Sequence, residues 1–474
     1  MGILVSTAIS CACNKVSKTE AHGGTGAPQA PQAPQASDAH AAVAVTPERG
    51  DGSSAGSANA GSAGSGEPGS AGSASSGIRA TPAPSTATAA PLPTDAAALA
   101  VATNDFGLRL WRVASGAGNQ AISPVSIAAA LAMTAGGARG TTAQEMLQAL
   151  QLKPGTDVVA QLAPWGALQV ALVQPGHGNT LHIANRLFGD KAYSFEKAFL
   201  DFTANTFAAP LAPVDFRGTP QAQRAFINSW IADQTAGRIK DLLGESDITE
   251  RTRLVLANAV YFLGKWADGF SAAKTEDAPF WISKDKSVTV PTMHRTGMYA
   301  TGALGNANVI ALPYQGGKLA MWVVVPTAKD GLAAVEKSLT GAMLQNLASN
   351  LTSSEVSLSL PRFELAPANA LSLVPGLKSL GMKTAFAQVA DFSGIAKPAN
   401  EPGLLISNVV HKAFVKVDEA GTEAAAATAV VMATKGVPAP PTALVVDRPF
   451  LFFIVDTRAN VVLFMGRVAN PAAR

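Results

Sequence analysis

The sequence predicts an α+β fold behind a long lead without regular structure, and three observations carry that expectation. Apolar residues recur at helical spacing in stretches between Thr94 and Leu150. Farther on, runs such as RLVLANAVYFLGKW (253–266) are apolar almost throughout, as in a strand buried on both faces, while others alternate. Before Thr94 the composition collapses into Ala, Gly, Ser, Pro and Thr, with repeats such as APQAPQAPQ and GSAGSGEPGSAGSAS. Such a segment buries too little apolar surface to offset its ordering entropy.

Residues 1–20 form the first unit. MGILVSTAISCACNK is a short apolar stretch holding both cysteines of the chain, Cys11 and Cys13. It is too short to span a membrane. It resembles the tail of a bacterial lipoprotein signal, in which small residues precede a cysteine that becomes acylated; Cys13, after Ala12, is the better placed. A basic leader is missing, which fits either a weak signal or a true start farther upstream. MGILVS also fits the loose N-myristoylation pattern, and an unstructured end with two inert thiols is the plain alternative. Residues 21–93 are expected to be a disordered tether, stiffer in its proline part and floppy in its Gly/Ser part. Joined to a lipid, it would hold the folded domain off a membrane surface, in an extracellular, cell-surface or periplasm-facing location. The folded domain then occupies 94–474, where no cysteine falls, so its stability must come from packing. Hydrophobic residues make up 47% of the 474-residue chain, enough for one large core or two ordinary ones. The net charge is only +3, with Lys and Arg scattered singly, which argues against a nucleic-acid partner.

Within the domain, TDAAALAVATNDFGLRLWRVAS reads as an amphipathic helix carrying Ala98, Val101, Phe106, Leu108 and Leu110 on or near its stripe. Pro124 sits where the next helix begins, with Ser123 as its N-cap; Gly136 and Gly137 stop it. Thr141 or Thr142 with Glu145 predicts a capping box opening a third. LHIANRLFGD (181–190) alternates like a strand, SFEKAFLDFTANTF is helical, and FINSWIADQTAGRIKDLL places Phe226, Trp230 and Ile231 at helical spacing until Gly237. VTVPTMHRTG, VIALPYQGGKLAMWVVVP and VSLSLPRFEL add strands. Catalytic signatures are missing: no GxSxG, HExxH, CxxC, P-loop or GxGxxG ahead of a helix, and no metal-ligand spacing among six histidines. No catalytic residue, metal or cofactor is expected, and an enzyme is left only as residues scattered beyond recognition.

The segment 418–441 stands apart. It opens with Asp418, Glu419 and Gly421, continues through small residues to one basic residue, Lys435, and ends in prolines. Read as a strand, the even positions Thr422, Ala424, Ala426, Thr428, Val430 and Met432 share an uncharged face, with Glu423 on the other. An Ala-rich run is equally a helix end or a linker.

EAGTEAAAAT (419–428) resembles the proximal hinge of the reactive loop of an inhibitory serpin, and VVDRPFLFFI (445–454) with LFMGRVANP (463–471) resembles that family's C-terminal signature. The resemblance implies three β-sheets, about nine helices and an exposed reactive-centre loop, in a metastable monomer. It implies a hinge at Glu419, Gly421, Thr422, Glu423, Ala424, Ala425, Ala426, Ala427 and Thr428. It makes Ser123, Ser126 and Asn258 parts of the shutter beneath the central sheet, and Trp266 part of the breach at its top, where Arg362 pairs with Glu419. His411 is either a satisfied core histidine or the shutter residue bonded to Asn258. By analogy the reactive bond is Lys435-Gly436, and the partner a trypsin-like serine protease held as a covalent acyl-enzyme. The freed loop would enter the sheet and carry the protease with it, since Gly421 to Lys435 spans fifteen residues, roughly 50 Å when extended. Gly436 and the prolines at 438, 440 and 441 depart from the family pattern. They leave Met432, Thr434 or Gly436 as alternative specificity residues, with an elastase-like, subtilisin-like or cysteine protease as the target. A non-inhibitory binding module on the same fold is the other reading.

Overall fold

The computed structural model describes residues 91–153, 157–173, 179–397, 403–422 and 440–473. The expectations for Cys11, Cys13, Glu423, Ala424, Ala425, Ala426, Ala427, Thr428, Lys435 and Gly436 lie outside those residues. The compact unit holding the described residues is Pro82–Arg474.

Among the described residues there are nine α-helices. They are α1 (Ala96–Ala114), α2 (Pro124–Ala135), α3 (Gly140–Ala149), α4 (Val158–Leu172), α5 (Lys197–Phe207), α6 (Pro220–Gln234), α7 (Leu332–Ser338), α8 (Gly341–Asn350) and α9 (Val374–Ser379). The first strands are β1 (Gln120–Ile122), β2 (Thr180–Asp190), β3 (Ala212–Val214), β4 (Leu254–Lys265), β5 (Glu276–Trp281), β6 (Ser287–Ala303), β7 (Ala307–Pro313) and β8 (Leu319–Pro326). They are followed by β9 (Thr352–Pro361), β10 (Phe363–Leu365), β11 (Leu371–Ser372), β12 (Asn408–Asp418), β13 (Gly421–Thr422), β14 (Thr442–Val445), β15 (Phe450–Asp456) and β16 (Val461–Val468).

Hydrogen bonding gathers these strands into two sheets. One runs β1-β16-β15-β8-β7-β6-β9-β14, with β5 also on β6; the other runs β10-β12-β13-β4-β2-β3, with β11 also on β12. The three sheets expected from the resemblance are visible inside this pattern. Two of them join through the 17-residue β6, which pairs with β5 at 287–292, with β9 at 292–301 and with β7 only at 300–303. β4 is buried over nearly its whole length, as its unbroken apolar run requires at the centre of the second sheet. On one face of that sheet lies α2, all twelve of whose residues are buried, a helix apolar all round because nothing of it meets water. On the other face α6 packs Ile227 and Ile231 against Ala257, Ala259 and Tyr261.

Two local readings change, and a third holds. α3 opens at Gly140 without a side-chain cap. The Thr142 hydroxyl instead accepts the Asp391 N–H at 2.9 Å, and Glu145 accepts the N–H groups of Lys383 and Thr384 at 2.8 and 2.6 Å. A polar residue near a helix start thus serves a distant loop rather than its own helix. α6 turns its Ile227–Ile231 face inward and leaves Phe226 37% exposed, so the stripe lies one residue from where Phe226 would put it. The helix ends at Gln234, where Gly237 (φ +73°) donates its N–H to the Ala232 carbonyl at 2.8 Å, closing the last turn.

Candidate functional site: a strand slot and its two locks

The central sheet contains an unusual pair. β12 and β4 run parallel and pair from Asn408↔Val255 to Phe414↔Tyr261. Above that point β13 lies between them, antiparallel to both, with Val417↔Thr422 and Asp418↔Gly421 on one side and Thr422↔Gly264 and Gly421↔Lys265 on the other. Two parallel strands accept one antiparallel strand between them, so the arrangement is a slot filled for two residues and closed below.

The lower closure is polar. His411 and Asn258 stand opposite each other in register, and Asn185 stands opposite Asn258 on β2. The Ser123 N–H donates to His411 Nε2 at 3.1 Å, so the ring proton sits on Nδ1 and is donated to the Asn258 side-chain oxygen. Asn258 donates to Ser126 Oγ at 2.7 Å and to Asn185, and the Ser126 hydroxyl donates to Asn185 Oδ1 at 3.2 Å. Asn185 in turn donates to the Ser126 carbonyl at 3.0 Å and to Gln169 Oε1 at 2.8 Å; Gln169 donates to the Phe207 carbonyl at 3.3 Å. All six side chains are buried. Burial pushes His411 down to about 3, so it stays neutral and keeps its acceptor nitrogen for Ser123. Ser123 also caps α2, taking the Ser126 N–H at 3.4 Å, so the cap and the network share one residue.

The upper end is held by charge and stacking. Arg362 Nε donates to Glu419 Oε1 at 2.6 Å, and Thr275 donates to the same oxygen. Burial alone would raise the Glu419 carboxyl, but these hydrogen bonds and the charge of Arg362 leave it below its ordinary value. Trp266 donates its indole N–H to the Asp418 carbonyl at 3.0 Å and its backbone N–H to the Ala420 carbonyl at 3.0 Å. Its ring stacks on Tyr314, centroids 4.6 Å apart. Thr422 is fully buried and shares a 2.6 Å hydrogen bond with the Tyr314 hydroxyl.

Every described residue singled out in the sequence therefore falls into one of two clusters on the same slot: Ser123, Ser126, Asn258 and His411 below, Trp266, Arg362, Glu419, Gly421 and Thr422 above. Asn185, Gln169, Thr275 and Tyr314 were missed. Only Asn185 carried a signal, a polar residue in the middle of a predicted strand, and the structure buries it.

A family model described as serpin (serine protease inhibitor) matches residues 101–471. The leukocyte elastase inhibitor of Sus scrofa is 38% identical over 384 residues, covering 79% of this chain and 99% of the relative. An uncharacterized serpin-like protein of Thermococcus kodakarensis is 38% identical over 376 residues, covering 78% and 85%. Among solved structures, the insect serpin Serpin48 of Tenebrio molitor superposes with a TM-score of 0.68 at 31% identity, over 78% of this chain and 98% of that one. Human thyroxine-binding globulin superposes at 0.73 with 29% identity, over 80% and 100%. With the signature stretches, the paired strands and these matches in hand, the chain belongs to the serpin family.

Proposed function

We propose that this serpin is a suicide-substrate inhibitor of serine proteases, cut at Lys435-Gly436 and trapping the protease as a covalent acyl-enzyme. The observation that carries the reading is β13: the chain leading into the loop already lies antiparallel between β12 and β4. Cleavage would free the residues beyond Thr422 to continue that strand downward. They would enter with their small, uncharged even positions on the face that Thr422 already buries.

Continuing the register gives the lock a partner. Six residues beyond Thr422, Thr428 falls six before Gly264, at Asn258, and six before Val417, at His411. Its hydroxyl would enter between the two groups whose mutual hydrogen bond insertion must break, so the network closes again around the new strand. A buried polar pair parted without replacement costs about 1–3 kcal/mol per unsatisfied group; a threonine at that register removes most of the cost.

Lys435 suits a protease with an acidic specificity pocket. The mammalian relatives are named for elastase, and Met432, Thr434 or Gly436 would serve such an enzyme if cleavage falls elsewhere. Incubation with trypsin, elastase and subtilisin in parallel, followed by mass analysis of any denaturant-stable adduct and of the C-terminal fragment, decides both mechanism and register. An adduct with a fragment beginning at Gly436 supports the reading; complete cleavage by all three without an adduct refutes it. Acylation at Cys13 or Cys11 and the tether at 21–93 would place the inhibitor at a membrane surface. Loss of membrane association in a Cys11→Ser/Cys13→Ser variant tests that placement.

A further inference from the structure

The Tyr314–Thr422 hydrogen bond has no part in the ion pair or in the lower network, yet the local chain is built around it. Tyr314 is fully buried, stacked on Trp266 and edge-on to Phe262, whose centroid is 5.0 Å away. Opposite Thr422 stands Gly264, where a Cβ would come within 2.4 Å of Phe262 and 2.8 Å of Tyr314, so glycine there leaves the space the tyrosine ring needs. Gly421 is in the left-handed region at φ +152°, and a Cβ on it would meet the Gly264 carbonyl oxygen at 2.0 Å. Two glycines thus let the chain pass close beside β4 and aim the Thr422 hydroxyl at Tyr314. The Tyr314 turn is itself fixed to β4 by Gln315 N–H to the Lys265 carbonyl, 2.8 Å.

We propose that Tyr314 is a positioning residue for loop insertion: its hydroxyl holds Thr422 in the slot before cleavage, so that insertion elongates an existing strand instead of starting one. This rests on the inhibitory reading and deepens it. Strand addition is slow at its first pairing, because backbone freedom is lost before ladder bonds accumulate. With Thr422 already paired to Val417 and Gly264, that first pairing is in place in the uncut molecule. Deacylation competes with insertion, so the latch acts on the fraction of cleavage events that end in a trapped protease.

The test measures moles of inhibitor consumed per mole of protease trapped, for wild type, Tyr314→Phe, Thr422→Val, the double variant and Thr422→Ser. Phenylalanine keeps the stack on Trp266, and valine keeps the shape of threonine, so each removes little besides the bond. The ratio is expected to rise roughly two- to tenfold in either single variant, the fold-change one ordinary hydrogen bond carries. The double variant is expected to be no worse than the singles, and serine to restore a near wild-type ratio. A general loss of stability would instead multiply in the double variant and follow the melting temperature of the uncut protein. Hydrogen exchange at the Thr422 amide supplies a second readout, with protection expected to fall in Tyr314→Phe. Single variants that leave the ratio unmoved, or that multiply, overturn the latch. Wild-type protein that is cut without trapping refutes the inhibitory reading itself, which separates the two failures.

Discussion

At the scale of residues, the site depends on side chains whose neutral or charged state is set by burial. His411 is held down to about 3 by desolvation, against 6.5 for the free side chain. Between these values the unfolded chain binds a proton that the folded one excludes, so stability is complete above about pH 6.5 and is lost progressively as pH falls toward 3. Thermal unfolding followed from pH 7.5 to 4 should show this fall, and His411→Gln should flatten the part of it that histidine contributes. Glu419 has the same sign in a lower window: its lowered carboxyl stabilises above the ordinary carboxylate range, and that contribution fades as acid protonates it. Asn185→Ala should cost about 1–3 kcal/mol in chemical denaturation, because Asn258, Ser126 and Gln169 all lose a buried partner. Thr422→Arg is harsher, since the residue is already fully buried. Either the hinge leaves the slot or an unpaired charge is buried, at several kcal/mol. The expected result on a denaturing gel is cleavage at Lys435 with no protease adduct; a variant that still traps trypsin contradicts it.

At the scale of elements, the local code of the chain is read with little difficulty where a single period dominates. The unbroken apolar run of β4 and the Ser-Pro opening of α2 each name their own structure, while α1 forms as a helix whose buried face takes in Leu99, Ala100 and Trp111 and leaves Ala98, expected on its stripe, exposed. α4 did not announce itself, because it buries Leu162, Trp165, Leu168 and Gln169 around a helix interrupted by Pro164 and so shows no clean apolar face. α8 was passed over although Thr340 caps it, accepting the Met343 N–H at 3.2 Å, and Leu344 and Leu347 are buried at helical spacing. Four of the six residues of the network below the slot, Ser123, Ser126, Asn258 and His411, came from motif resemblance, but Gln169 joins only through its hydrogen bonds to Asn185 and the Phe207 carbonyl, which three dimensions bring within reach. Tyr314 was invisible for the same reason, since a turn 108 residues away from Thr422 meets it only in three dimensions. At the hinge, Gly421 and Thr422 are already strand, with Thr422 buried on the even face that the period-two reading gives it. The strand pattern beyond them gives an element-scale test. Ala426→Pro removes a ladder donor from the middle of the expected insert, and adduct formation should fall at least tenfold while cleavage at Lys435 continues.

At the scale of the whole molecule, the fold keeps its halves together after the loop is cut. The segment beyond Gly436 contains β15 and β16, which pair with each other and with β8 in the interior of the larger sheet. Arg467 on β16 is bound to Glu336 at 2.9 Å and to the Gly118 carbonyl at 3.0 Å, and lies 5.5 Å from the Trp111 ring. The C-terminal fragment should therefore stay in place until denaturation, leaving the freed strand as the part able to move. Insertion would add a strand between β12 and β4, bury the even face of the loop and exchange seven parallel pairings for antiparallel ones on both sides. On the inhibitory reading, the uncut chain would be a kinetically held state above a more stable one. Differential scanning calorimetry of intact protein and of protein nicked at Lys435-Gly436 reads that difference in one comparison. The nicked form should unfold at a temperature well above the intact form; nicked protein that unfolds at the same or a lower temperature would show that no such reserve exists.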